Sequence, residues 1–126
     1  MFFLTHKGIF KSPNYYFCSY CGKIIHKKQV QVDHLISVHS VSKPGVGRLL
    51  MRLGRIRDIN DASNLIPSCR YCNLQKGAKG GGWIIRGFIG RKPSYWIIRK
   101  TAFFLIFCFL IYVNLPSMID SINMLF

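Results

Sequence analysis

The stretches CSYC at residues 18–21, VDHLI at 32–36 and NLIPSCRYCNLQKG at 64–77 decide the fold of this chain. Two Cys-x-x-Cys pairs enclose the dipeptide Asp33-His34, and the second pair leads directly into Asn73. Four thiolates are the ligand set of a closed, tetrahedral structural zinc site. Because so small a unit buries too little apolar surface to hold itself together, a zinc ion joining the two pairs would supply the missing stability.

The cysteine pattern favours metal binding over disulfides. Residues 1–4 are too short an apolar run for a secretory signal peptide, since His6 and Lys7 interrupt it. Paired Cys-x-x-Cys spacing without an export signal is typical of zinc binding in a reducing, cytoplasmic compartment, with two disulfides or unrelated buried thiols as the alternative. The expected zinc ligands are Cys18, Cys21, Cys69 and Cys72. Cys108 lies apart from them and is interpreted as a small apolar residue.

The charge balance indicates a polyanionic partner. The chain has 126 residues, with 18 Lys and Arg against 4 acidic residues, and a formal net charge of +14. Such an excess favours nucleic acid or an anionic membrane surface, but it does not identify what is done to that partner. A carboxylate at a DNA-binding surface weakens binding by repulsion, so Asp33 needs a reason to be there, and a divalent cation would be one.

The periodicity predicts an α+β fold built from short elements. Residues 29–33 alternate as a strand that delivers His34 at its end, and residues 64–67 predict a second strand. Residues 48–57 and 72–79 have helical patterns, which Gly54 and Gly77 weaken. Residues 37–47 are rich in Ser, Pro and Gly and predict a loop.

Composition divides the chain into three parts. Residues 1–14 form a basic N-terminal lead-in, 15–82 hold the motifs, and 83–126 form a hydrophobic C-terminal extension that begins after Gly80-Gly81-Gly82. In the extension the sequence WIIR occurs twice, and residues 101–113 carry no charge. Strands packed on the preceding part, a homodimer interface, and a membrane segment over 96–119 are all open for it.

The order of the motifs resembles that of the HNH endonucleases, in particular the branch whose fold is held by a four-cysteine zinc site. The three stretches quoted above carry the resemblance, which covers about residues 15–80. A single Cys-x-x-Cys is common, but this order of polar residues between two such pairs is specific. The resemblance implies a small ββα-metal fold and a metal-dependent hydrolase that cuts phosphodiester bonds in DNA.

The resemblance also implies roles for individual residues. His34 would be the general base that takes a proton from the attacking water. Asp33 and Asn73 would hold one catalytic Mg²⁺ or Mn²⁺ through hard donor atoms. Asn64 would orient the catalytic loop by hydrogen bonds. Some family members have His where this chain has Asn73, which leaves the metal preference open.

Five basic residues are candidates for contacts to the DNA backbone. Two lie just past Asn73, and three are spaced along the predicted helix 48–57 at i, i+4 and i+7. That helix falls within an interval between His34 and Asn64 that is longer than a minimal family member needs, and a merely solvated helix face is the alternative for its three arginines. The candidates are Arg48, Arg52, Arg55, Lys76 and Lys79.

Two other functions compete with the endonuclease. One is a zinc-ribbon protein that binds nucleic acid without catalysis, which would be indifferent to Mg²⁺ and to the loss of His34. The other is a membrane-anchored protein whose zinc-containing part recruits a partner.

Overall fold

A computed structural model describes residues 2–6, 8–42 and 45–123 as a mixed α+β chain. The chain divides into a first unit, Met1–Tyr95, and a second unit, Trp96–Phe126. The strands are β1 (Tyr15–Phe17), β2 (Ile24–His26), β3 (Gln31–His34) and β4 (Leu65–Ser68). The helices are α1 (Phe2–Thr5), α2 (Val38–Ser42), α3 (Val46–Leu53), α4 (Arg70–Lys76), α5 (Gly82–Gly90) and α6 (Pro93–Asn123).

The first hairpin, β1–β2, presents the first cysteine pair in its turn. The strands pair antiparallel with Tyr16 opposite Ile25. The turn is closed by the Cys18 N–H, which donates to the Lys23 carbonyl at 2.8 Å, and by the Gly22 N–H, which donates to the Cys18 carbonyl at 2.9 Å. Gly22 has φ +72°, a conformation that glycine adopts without steric cost. The turn therefore has the tight shape that a metal-binding cysteine pair requires.

The second hairpin, β3–β4, carries the Asp-His dipeptide. Its strands are antiparallel, with Asp33 opposite Ile66 and His34 opposite Leu65. The predicted strands at 29–33 and 64–67 are thus present, each displaced by one or two residues. Pro67 has no N–H to donate, but its carbonyl accepts from the Ser19 N–H at 2.8 Å and so joins β4 to the first cysteine turn.

A small core lies beneath the two hairpins. The buried residues of this core are Tyr16, Tyr20, Ile25, Leu35 and Ile66, together with Cys18, Cys69 and Cys72. Helix α5 approaches this core through Gly87, where an added Cβ would lie 2.7 Å from Leu35 Cδ1 and 2.8 Å from Tyr20 Cε1. The absence of a side chain at this position therefore sets how closely α5 packs.

The predicted helix 48–57 differs from the observed α3. The helix ends at Leu53, and Arg55 has φ +54°, so Arg55 does not continue the expected arginine stripe. The sequence also predicts an apolar stripe of Leu49, Leu53 and Ile56. Ile56 is buried as expected, but Leu49 and Leu53 are 56% and 73% exposed, and Met51 is buried instead. The predicted loop 37–47 contains α2 and the start of α3.

The predicted lead-in is partly structured. It contains α1 and a 3-10 turn at Ile9–Lys11, and the Phe3 ring lies 5.4 Å from the Tyr16 ring. Lys7 lies outside the described residues.

The described part of the C-terminal extension, residues 83–123, consists almost entirely of helix, so the strand alternative for it is wrong. Both copies of WIIR lie in helices, the first in α5 and the second in α6. Helix α6 is long and apolar enough to cross a membrane over Pro93–Pro116, judged by length and composition.

Candidate functional site

The four expected cysteines meet in one cluster. One ligand atom from each of Cys18, Cys21, Cys69 and Cys72 lies within 4.8 Å of every other. The Cys21 and Cys69 sulfurs are 3.9 Å apart. Tetrahedral zinc with bonds of about 2.3 Å sets its sulfur ligands about 3.8 Å apart, so the cluster fits a zinc ion.

Burial of the sulfurs opposes their ionisation when no cation is bound. Burial raises the pKa of Cys18 to about 11 and raises that of Cys72 still further. Burial opposes the ionisation of Cys69 as well, but hydrogen bonds from Cys72, Cys18 and Cys21 outweigh it and lower its pKa. The Cys69 N–H donates to the Cys18 sulfur at 3.3 Å. Metal ligands must be thiolates. The positive charge of a bound dication would stabilise the thiolate form of these buried sulfurs.

Asp33 lies in a buried ion pair. The Lys76 ammonium is 3.0 Å from Asp33 Oδ2 and 3.3 Å from Oδ1, and it also donates to the His34 carbonyl at 2.7 Å. The Tyr20 hydroxyl donates to Asp33 Oδ2 as well. Burial raises the pKa of Tyr20 above its usual range, and the bond to Asp33 adds to this effect, so the phenol stays protonated and donating. Both carboxylate oxygens of Asp33 are therefore engaged.

Lys76 does not fit the DNA-contact role expected for it. Its side chain is 1% exposed, and its charge is directed inward to Asp33. The sequence interpretation was wrong here because a lysine in the last turn of a helix ordinarily points to solvent. Lys79, in contrast, is exposed, and its ammonium donates to the Gln75 carbonyl at 2.8 Å.

His34 is oriented by a residue that sequence reasoning missed. Its Nε2 lies 3.1 Å from Asn60 Oδ1, and the Asn60 N–H donates to Asp58 Oδ1 at 2.8 Å. An amide oxygen only accepts, so this contact selects the tautomer of the neutral imidazole in which Nε2 carries the proton and Nδ1 the lone pair. Asn60 belongs to a turn cluster at 58–63, and nothing in its spacing indicates that the turn folds back to β3.

Asn64 is fully buried and holds the chain that follows His34. Its Oδ1 accepts from the Ile36 N–H at 2.9 Å, and its Nδ2 donates to the carbonyls of Ile36 and Ile59 at 3.2 and 2.8 Å. The Leu35 N–H also donates to the Asn64 carbonyl at 2.7 Å. These bonds join the segment after β3 to the loop that carries Asn60.

The remaining candidates lie on two helices and a turn. Asn73 is half-buried in α4. Arg48 and Arg52 are exposed on α3, Arg55 is exposed in the turn after it, and Arg48 Nε donates to the Val41 carbonyl at 3.4 Å. Of the five candidates for DNA contact, four are on the surface and Lys76 is buried. The four exposed residues are Arg48, Arg52, Arg55 and Lys79.

The expected ligands of a catalytic cation fit that role only in part. A carboxylate and an amide oxygen, as Asp33 and Asn73 offer, are the donors that Mg²⁺ and Mn²⁺ prefer. The Asp33 carboxylate, however, is already neutralised by Lys76. A divalent ion at Asp33 has to displace that ammonium.

No protein-family model matches this chain, and neither the curated proteins nor the solved structures give a significant match.

Proposed function

We propose that this protein is a metal-dependent DNA endonuclease whose active site lies at the end of β3. The observation that carries the proposal is the state of His34. Its Nε2 hydrogen-bonds to Asn60 Oδ1. In the neutral tautomer that this bond selects, the Nδ1 lone pair is available to accept a proton. The residue before it is Asp33, one of the 4 acidic residues in a chain of net charge +14.

In the proposed reaction, Nδ1 of His34 takes a proton from the water that attacks the phosphorus. Asn60 keeps the imidazole in the required tautomer, and Asn64 fixes the backbone around it. Asp33 and Asn73 would hold Mg²⁺ or Mn²⁺, which supplies positive charge to the phosphate and the leaving oxygen. The zinc cluster has a structural role, because it joins the β1–β2 turn to the start of α4.

DNA would be held mainly through its phosphates. Arg48, Arg52, Arg55 and Lys79 are exposed cations in the first unit and are the proposed contacts. Contacts of this kind position the backbone without selecting a sequence.

A specific observation favours a second candidate, a zinc-containing nucleic-acid-binding protein without catalysis. The Lys76–Asp33 pair already satisfies the carboxylate that a catalytic cation needs. In this candidate Asp33 is a structural counterion, and DNA binding requires no divalent metal.

The test is cleavage of supercoiled plasmid with Mg²⁺ or Mn²⁺ by the wild type, His34→Ala and His39→Ala. We expect the wild type and His39→Ala to cut at similar rates and His34→Ala to be slower by about 10²–10⁴-fold, the usual contribution of a general base. A gel-shift assay shows whether each variant still binds DNA. Equal cutting by all three proteins contradicts the proposal, and binding without cutting by the wild type favours the second candidate.

A further inference from the structure

We propose that residues 101–119 of α6 cross a lipid bilayer, with the zinc-containing first unit on the cytoplasmic side. The proposal does not depend on the endonuclease assignment. It rests on the distribution of apolar side chains around α6, on its length, and on the charges at its two ends.

The apolar surface of α6 extends around its whole circumference. The large hydrophobic side chains at 103–107 and at 109–113 are each between 47% and 75% exposed. Successive helical residues are rotated by about 100°, so each of these runs of five covers every direction around the axis. A partner helix in water would cover one stripe and leave the rest exposed. A surrounding lipid phase covers all of it.

The length matches a bilayer. At 1.5 Å per residue, residues 101–119 extend for about 29 Å, and the hydrocarbon core of a membrane is about 30 Å thick. Arg99 and Lys100 precede this stretch and Asp120 follows it, with no charged residue between them. Tyr95 is half-buried and lies one turn before the basic pair, a position at which aromatic rings meet the lipid headgroups.

The polar residues within the stretch are compatible with lipid. Asn114 Nδ2 donates to the Leu110 carbonyl at 2.7 Å, so its amide is paired within the helix itself. Pro116 lies inside the helix in the last turn of the stretch, and proline is tolerated in membrane-spanning helices.

The charges define the orientation. Arg86, Arg91, Lys92, Arg99 and Lys100 precede the stretch, and none of the residues from 101 to 126 is Lys or Arg. Basic residues stay on the cytoplasmic side of a membrane, so the zinc-containing unit faces the cytoplasm.

The test is fractionation of cells that express the full chain. We expect the protein in the membrane pellet after washes with high salt and with alkaline carbonate, and its release only by detergent. Phe107→Lys with Leu110→Lys places two charges in mid-bilayer and should lower the membrane-bound fraction at least about tenfold. The matched control, Leu49→Lys with Leu53→Lys on the exposed face of α3, should leave that fraction unchanged.

Protease added to intact spheroplasts tests the orientation, and the first unit should be protected until detergent is added. Release of the wild type by salt alone, or its recovery in the soluble fraction, overturns the span. Digestion of the first unit in intact spheroplasts overturns the orientation. Neither result bears on His34, so this proposal and the endonuclease proposal fail separately.

Discussion

At the scale of single residues, the centre of the molecule is a buried charge pair. Lys76 is 1% and Asp33 12% exposed, so each ion has lost most of its water. Desolvation of this kind is tolerated only when the partner and additional hydrogen bonds replace the water, as the Tyr20 hydroxyl and the His34 carbonyl do here. Removing one partner therefore costs more than the pair itself contributes.

Lys76→Met tests this pair. It leaves the Asp33 carboxylate buried without a cation, and we expect the free energy of unfolding to fall by about 3–5 kcal/mol in urea titrations. Lys79→Met, at an exposed lysine three residues away, is the control and should change it by less than about 0.5 kcal/mol. Because the variant frees the carboxylate, Mg²⁺ should raise its Tm more than that of the wild type. Equal losses in the two variants would show that the pair is not important for stability.

Asn64→Ala tests the buried amide. The substitution leaves the N–H and carbonyl of Ile36 and the carbonyl of Ile59 without their partner, and we expect a loss of about 3 kcal/mol by chemical denaturation. Asn60→Ala is the matched control, because Asn60 is exposed and its side chain bonds to His34. It should slow plasmid cleavage while changing stability by less than about 0.5 kcal/mol. A small effect of Asn64→Ala on stability would contradict the proposed anchoring role.

At the scale of elements, the cysteine cluster joins pieces of chain that otherwise share little core. It connects the turn of the β1–β2 hairpin to the start of α4. Cys69 is the residue that precedes α4, so its sulfur ties the helix directly to the first hairpin.

Cys69→Ser tests that connection. We expect the purified wild type to carry one zinc per chain by elemental analysis, and the variant to lose both the metal and the cooperative unfolding transition. Cys108→Ser, at the cysteine outside the cluster, should keep both. A wild type that folds in the presence of a strong chelator, or a folded and zinc-free Cys69→Ser protein, would contradict the structural role of the metal.

The elements differ in how well the sequence predicts them. Spacing predicted the two strands of the second hairpin, although neither strand buries alternate side chains: Gln31 and Val32 of β3 are exposed, and Ile66, Pro67 and Ser68 of β4 are all buried. Spacing did not identify the buried side of α3, since Leu49, Leu50, Met51 and Leu53 allow several helical faces and only packing selects one. The second copy of WIIR fits a strand as well as a helix, and its place in α6 follows from the long uncharged stretch behind it.

At the scale of the whole molecule, the positive charge and the apolar character of the chain are distributed differently. Acidic residues are scarce along the whole chain, which gives the net charge of +14, whereas the uncharged apolar stretch is confined to the second unit. DNA and the cytoplasmic membrane surface are both polyanions, so the same lysines and arginines can serve either partner.

The four-cysteine cluster could be predicted from the sequence because a thiol pair is a local signal and four thiols have few alternative uses. The inward direction of Lys76 and the contact of Asn60 with His34 could not, since both depend on tertiary packing. A motif indicates which groups a site contains, and the fold decides which of them neutralise one another.

The bond between Tyr20 and Asp33 has a consequence for how the protein responds to redox stress. Tyr20 lies between Cys18 and Cys21, so the same short turn offers sulfur to zinc and a phenol to the acidic residue next to His34. Peroxide or another thiol oxidant that expels the zinc would free this turn and weaken the hydrogen bond from Tyr20 to Asp33. Oxidation of the cysteines would thus reach the surroundings of His34 through Tyr20 and Asp33, and reduction in the presence of zinc would reverse the change.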